Sequence, residues 1–213
     1  QNGDLISGAE NLLLQGNGQA TTANTPKTVF TSKEGKRPSI LLDFGREIHG
    51  GLQFVTCIRA STKPVKVRVR LGESTGEAMC NITEENGATN DHAMRDYTIE
   101  LPWLGVCEVG NSGFRFVRID MLEDDVELPI KEIRASLLYR DVPYLGSFRS
   151  SDPRVDSIWM TGAYTLHLNL QEFLVEAPKR DRLVWLGDLH PEVRTALAVF
   201  GDNEALARGL DFA

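Results

Sequence analysis

The sequence is poor in the features that mark several large functional classes. It has three cysteines, Cys57, Cys80 and Cys107, an odd number without CxxC spacing. They form neither a disulfide framework nor a zinc site of recognisable spacing, so buried or half-buried free thiols are expected. Cations are in deficit: 23 Lys and Arg stand against 30 Asp and Glu, a net charge of −7 at pH 7. Binding nucleic acid or an anionic membrane surface calls for a basic face, and the balance argues against both. No apolar run is long enough to span a bilayer, and no cationic segment with an apolar stretch behind it opens the chain. The chain begins at Gln1, which fits a processed N-terminus and leads us to expect a secreted or periplasmic location. Internal repeats and low-complexity tracts are absent. No metal constellation appears, although Asp91 and His92 can supply two ligands. No cofactor is expected.

What remains is an ordinary globular composition, 41% hydrophobic and 25% charged, with enough apolar residues for a real core. Residues 1–38 are rich in Gly, Asn, Thr and Lys around one apolar run, Leu12-Leu13-Leu14, and predict an irregular N-terminal segment. Residues 39–148 read as strands separated by Gly, Pro and Asn turns. The alternation is clearest at Val65-Lys66-Val67-Arg68-Val69-Arg70-Leu71, which predicts a half-buried strand with its cations on a solvated face. Asp96–Leu101, Phe114–Ile119 and Ile133–Tyr139 repeat the pattern. Short strands without intervening helical periods indicate an antiparallel β-sandwich, jelly-roll-like in outline. The polar stretch Glu73–Asp91, with a turn at Asn86-Gly87 and a formal glycosylation sequon at Asn81-Ile82-Thr83, interrupts it.

From residue 149 to 213 the period becomes helical. Ser151 or Asp152 can cap a helix that opens on Pro153 and keeps one apolar face through Val155, Ile158, Trp159, Leu166, Leu170 and Phe173. A second helix is predicted from about Pro191 and a third from Asn203-Glu204. Apolar faces this strong are not fully buried by two or three helices alone. We therefore expect these faces to pack on the sandwich, to belong to a larger helical body whose remainder lies outside this sequence, or to mediate self-association through exposed helices.

The densest polar cluster lies between the first two helices, from Glu176 to Glu192. The carboxylates Glu176, Asp181 and Asp188 alternate with the cations Lys179, Arg180 and Arg182 and with Trp185. Two carboxyl groups of different protonation are what glycoside hydrolysis requires, and an aromatic ring offers a platform for a sugar. A charged helix–helix loop held by surface ion pairs has the same appearance in sequence. His49, beside Gly50-Gly51, is expected to be a solvated turn residue, and the polar loop Asn90-Asp91-His92 with Arg95-Asp96 a hydrogen-bonded turn or a sugar contact.

The order of several short motifs adds to this. Leu42-Asp43-Phe44-Gly45, Arg70-Leu71-Gly72-Glu73, Gly113–Ile119, Phe148–Pro153 and the Glu176–Asp188 cluster together resemble the α-L-rhamnosidases, glycoside hydrolase family 78. The resemblance implies a β-sandwich followed by a six-hairpin (α/α) barrel, of which residues 149–213 hold the first helices, and removal of terminal α-L-rhamnose with inversion. It also implies carbohydrate as the partner. Within the family's acidic motif, Asp181 falls at the general acid, and Glu176, Arg180, Trp185 and Asp188 at sugar-binding positions. The family has Asp where Glu176 stands and Glu where Asp181 stands. Nothing in the chain matches the family's general base, so the expectation is a chain inactive by itself. The alternative is a non-catalytic carbohydrate-binding or structural β-sandwich module.

Overall fold

A computed structural model describes residues 1–81, 95–201 and 204–212. The chain divides into two compact units, Gln1–Ser136 and Leu137–Ala213.

The first unit is built on seven strands: β1 (Ile6–Ser7), β2 (Thr28–Thr31), β3 (Ser39–Thr56), β4 (Val65–Gly72), β5 (Arg95–Leu101), β6 (Gly105–Met121) and β7 (Glu127–Leu137). They form a single antiparallel sheet in the order β1-β2-β7-β3-β6-β4-β5. The expected sandwich is thus made from one continuous sheet, because β3 and β6 are very long and are bent rather than broken. Their register shifts between Asp43 and Ile48 and again between Gly50 and Leu52. Such bulges bend a strand and sharpen its twist. At the first one Gly45 takes a left-handed φ of 84° and donates its N–H to Asp43 Oδ1 at 2.8 Å. Across the ladder Arg115 grips the same carboxylate through Nε and Nη2 at 2.8 and 2.9 Å. That hydrogen bonding, helped by Gly45, holds Asp43 down at about 2.

One apolar core joins residues from opposite ends of the strand order, among them Phe30 of β2, Val67 of β4 and Ile130 of β7. On β4, Val65, Val67, Val69 and Leu71 all face it and are fully buried, contributing about 1.5–3 kcal/mol each. The other face departs from expectation. Lys66 is exposed, but Arg70 is only 3% exposed. A short helix, α1 (Thr75–Met79), covers it. Ser74 caps α1 by accepting from the Glu77 N–H, and Glu77 accepts in turn from the Glu73 N–H, close to a capping box. Arg70 Nη1 then donates to the carbonyls of Met79 and Cys80 at 3.2 and 2.9 Å and to Asn81 Oδ1 at 3.0 Å. Its Nη2 meets Asp120 at 2.9 Å, and Asp120 also accepts from Arg118. A cation can be buried here because its neighbours supply acceptors and a charge.

The segment up to residue 38 is more regular than its composition suggests. It supplies β1 and β2, and Leu12-Leu13 end a 3₁₀ turn (Ala9–Leu13) with Leu13 exposed. Cys57 is buried and Cys80 and Cys107 are half-buried, all as free thiols. Burial pushes the Cys57 and Cys107 thiols up.

The second unit holds α2 (Pro153–Asn169), α3 (Leu186–Phe200) and α4 (Glu204–Phe212). Asp152 caps α2 by accepting from the Arg154 N–H, and Pro153 sits at the first turn where no N–H is needed. α2 ends at Asn169, not near Phe173 as its apolar spacing predicts. Leu170 and Leu174 pair across a tight turn and are both fully buried, so the same spacing serves a packed reversal. α3 starts at Leu186, before Pro191, which lies inside it. The proline removes only the bond to the Gly187 carbonyl, a tolerable loss so near the N-terminus. The core draws on Leu166, Leu170, Leu174, Leu189, Val199 and Leu206.

The extended stretch before α2 is bound to this core. The N–H groups of Leu145 and Gly146 both donate to the Val199 carbonyl, at 2.8 and 2.9 Å. A Cβ on Gly146 would land on the Ala198 carbonyl oxygen. His167, buried in α2, stacks on Tyr139 with ring centroids 3.6 Å apart. Its Nε2–H donates to the Arg140 carbonyl at 2.7 Å, leaving Nδ1 to accept from the Tyr144 hydroxyl at 3.3 Å. Burial lowers the value of His167 and keeps the ring neutral, against the opposing pull of the Arg140 carbonyl.

Candidate active site

The acidic cluster forms a closed turn between α2 and α3. Glu176 and Leu183 pair across its neck, with the Glu176 N–H donating to the Leu183 carbonyl at 2.9 Å. Inside the neck, Ala177 and Arg182 both take left-handed φ values, 53° and 55°. Neither is glycine, and such conformations cost of order 1 kcal/mol each and gather at functional sites.

At the tip, Arg180 Nη2 donates to Asp181 Oδ2 at 2.9 Å. Arg180 is largely exposed and Asp181 largely buried. The Asp181 carboxylate, by hydrogen bond and then by charge, raises Arg180 above its ordinary value, and the Glu176 charge adds to this. Lys179, next in the turn, is buried. Glu176 Oε2 is buried without a hydrogen-bond partner among the described residues.

Trp185 closes the turn as the residue before α3, half-exposed between the exposed Leu183 and Leu186. Asp188 follows in the first turn of α3, where a carboxylate complements the helix dipole. The turn therefore gathers Glu176, Arg180, Asp181, Trp185 and Asp188 into one continuous piece of the second unit. No direct hydrogen bond joins Glu176, Asp181 and Asp188 to one another among those described. The charges of Asp181 and Glu176 both act on Arg180, and those of Asp188 and Glu176 both act on Glu192.

One carboxyl was not singled out from the sequence. Glu192 lies four residues after Asp188 on α3, on the same helical face. Burial raises it above its ordinary value, and the charges of Asp188 and Glu176 raise it further. It lines an open groove of about 350 Å³ between α2 and α3 with Thr165, Asn169 and Thr195. Asn169 Oδ1 is buried there without a hydrogen-bond partner among the described residues. The available signal was the i, i+4 spacing of Asp188 and Glu192, which is informative only once the helix is known to begin before Pro191.

The other polar candidates behave differently. His49 is a buried strand residue of β3, paired in register with Gly113, and not a solvated turn. Its neighbours on β3 carry the sheet past it. Asp96 is engaged by Arg68, whose Nε donates to it at 2.9 Å, so it serves the β4–β5 pair. The sequon residues Ile82 and Thr83, the Asn86-Gly87 turn and Asn90-Asp91-His92 lie outside the described residues. Among the described residues no cluster of three His, Cys, Asp or Glu is placed to hold a metal. Among the described residues no helix is long and apolar enough to cross a membrane.

Comparison with known proteins bears on both units. Residues 143–212, which contain the whole acidic turn, match the family model described as the bacterial alpha-L-rhamnosidase 6 hairpin glycosidase domain. No match is found among curated proteins. Among solved structures, the rhamnosidase from Klebsiella oxytoca with rhamnose bound superposes with a TM-score of 0.72 at 21% identity, over 84% of this chain and 35% of that one. The family 78 rhamnosidase of Bacillus sp. GL1 gives 0.71 at 19% identity, over 94% of this chain and 19% of that one. The native α-L-rhamnosidase from Aspergillus terreus gives 0.58 at 26% identity, over 91% of this chain and 21% of that one. The chain spans about a third or less of these three proteins. The likeness to α-L-rhamnosidases read from the sequence is borne out, in the fold and in the segment that carries the acidic turn.

Proposed function

We propose that this chain carries the sandwich and first barrel helices of an α-L-rhamnosidase-like inverting glycoside hydrolase, and that residues 176–192 form part of its sugar site. The observation that carries the reading is the turn itself, strained at Ala177 and Arg182 and lying within the segment matched to the glycosidase domain. Asp188 and Glu176 accept from sugar hydroxyls, Trp185 offers a ring face, and Arg180 orients the carboxylates. Asp181 stands where the resemblance puts the general acid. An inverting mechanism also needs a base on the opposite ring face. No residue here is assigned that role, so the 213-residue chain binds rhamnosyl groups without turning them over. A secreted or periplasmic location suits such a substrate.

A second assignment of the acid is favoured by one observation. Asp181 is engaged by Arg180, a partner that favours an ionised carboxylate, whereas Glu192 is the carboxyl whose burial favours keeping its proton. Incubation with an aryl α-L-rhamnoside tests the overall reading. The expected result is saturable binding of L-rhamnose with no release of the aryl group. Robust turnover abolished by Asp181→Asn refutes the inactivity, and absence of any rhamnose binding refutes the sugar site.

A further inference from the structure

The first unit contains a cleft with a different chemistry from the acidic turn. It opens at the β1–β2 edge of the sheet, holds about 340 Å³, and is lined by Ser7, Lys27, Thr31, Ile58, Arg59 and Glu127 among others. Arg59 comes from the loop between β3 and β4 and also lines a neighbouring cleft of about 310 Å³, with Lys63, Glu123 and Asp125. The Arg59 guanidinium is unusual in the molecule. Its Nε and Nη2 are buried and neither has a hydrogen-bond partner among the described residues. Buried donors are ordinarily satisfied, and leaving a charged one unpaired is expensive. Elsewhere in this unit, Arg37, Arg68, Arg70, Arg115 and Arg118 each hold a carboxylate. Among these six only Arg59 has two buried guanidinium nitrogens without a hydrogen-bond partner among the described residues, and it lines an open cleft.

We propose that this cleft binds the carboxylate of an acidic sugar, a uronate, through Arg59 and Lys27. A guanidinium fork matches the two oxygens of a carboxylate, and Lys27, exposed at the rim, adds a second cation. The rest of the lining suits a sugar ring more than a bare anion. Ser7 and Thr31 offer hydroxyls, Glu127 accepts from ring hydroxyls, and Ile58 presents an exposed apolar surface to C–H groups. The same Glu127, with Glu123 and Asp125 beside Arg59 in the adjoining cleft, repels a dianion such as phosphate. A monoanion rich in hydroxyls is the class that satisfies the donors without meeting that repulsion. The inference is independent of the hydrolase reading, since every residue in it belongs to the unit Gln1–Ser136.

Titration of the ¹⁵N-labelled 213-residue chain with glucuronate, glucose and inorganic phosphate, followed by amide shifts in residues 1–136, tests the proposal. Glucuronate is expected to bind saturably, and Arg59→Gln and Lys27→Gln each to weaken it by about tenfold or more. Lys27 is exposed, so its variant reads the site even if the Arg59 variant folds poorly. Glucose or phosphate binding as well as glucuronate, no saturable glucuronate shift, or wild-type affinity in a folded Arg59→Gln chain each overturns the proposal.

Discussion

Arg180 and Asp181 neutralise one another at the tip of the acidic turn, nitrogen to oxygen at 2.9 Å, with the arginine outside and the carboxylate inside. The pair orients Asp181 more than it holds the fold together, because an exposed arginine contributes little to stability. Arg180→Gln is therefore expected to shift the melting temperature by less than about 2 °C. At the proposed sugar site the same change should lower L-rhamnose affinity about tenfold, since it removes the cation that helps to orient the carboxylate. Thermal melts and a rhamnose titration on one sample separate the two effects. Unchanged affinity would remove Arg180 from the site.

Glu192 gives the turn a pH signature of definite sign. Its ordinary value is 4.5, and in the folded chain it is higher, first through burial and then through Asp188 and Glu176. A carboxyl raised in the folded state favours folding at low pH, and this contribution is lost as pH rises through the folded value. Glu192→Gln should accordingly raise the melting temperature at pH 7, well above the ordinary carboxyl value, and make little difference near pH 4. The pH dependence of thermal unfolding of both proteins checks it. A stabilisation equal at both pH values would mean that the introduced amide gains a contact unrelated to charge.

Much of this was legible in the sequence because local rules and packing agree there. Val65 to Leu71 alternate and face a core, and Asp152-Pro153 begin a helix as capping chemistry requires. The misses share one cause, tertiary contact overriding a local pattern. The Arg70 alternation looked solvated because α1, which covers it, has no signature beyond Ser74 and Glu77. Leu170 and Phe173 continued a helical spacing past Asn169, yet a buried reversal uses it. Pro191 looked like a helix start and sits inside α3, which concealed the pairing of Asp188 with Glu192 on one face. The acidic turn itself was readable by its residues, but not its left-handed Ala177 and Arg182.

The buried Arg70 is the most exposed to disruption of the features that sequence alone misjudged. It donates to two carbonyls, Asn81 and Asp120, and Asp120 has Arg118 as its other partner. Arg70→Met fills most of the volume but takes the donor from the Met79 and Cys80 carbonyls and leaves Asp120 half-paired. The loss should be about 3 kcal/mol, read as a lower urea midpoint with an unchanged slope. Arg70→Lys keeps the charge without the fork and should fall between. A midpoint unmoved by Arg70→Met would show the network to be dispensable.

Gly146 and Gly162 make opposite predictions within the helical unit. A methyl on Gly146 meets the Ala198 carbonyl oxygen, a backbone atom fixed in α3. The strand-like stretch must then withdraw and loosen the two hydrogen bonds from Leu145 and Gly146 to Val199. Gly146→Ala should cost roughly 1–3 kcal/mol and speed hydrogen exchange at both amides. Gly162 lies within α2, and a Cβ there has nothing within 4 Å. Gly162→Ala should stabilise the unit by about 0.5–1 kcal/mol, because alanine has less backbone freedom to lose. Equal melting shifts for the two variants, followed by ellipticity at 222 nm, would contradict the packing of residues 144–146 on the end of α3. Opposite signs would establish that this stretch is part of the helical unit's core.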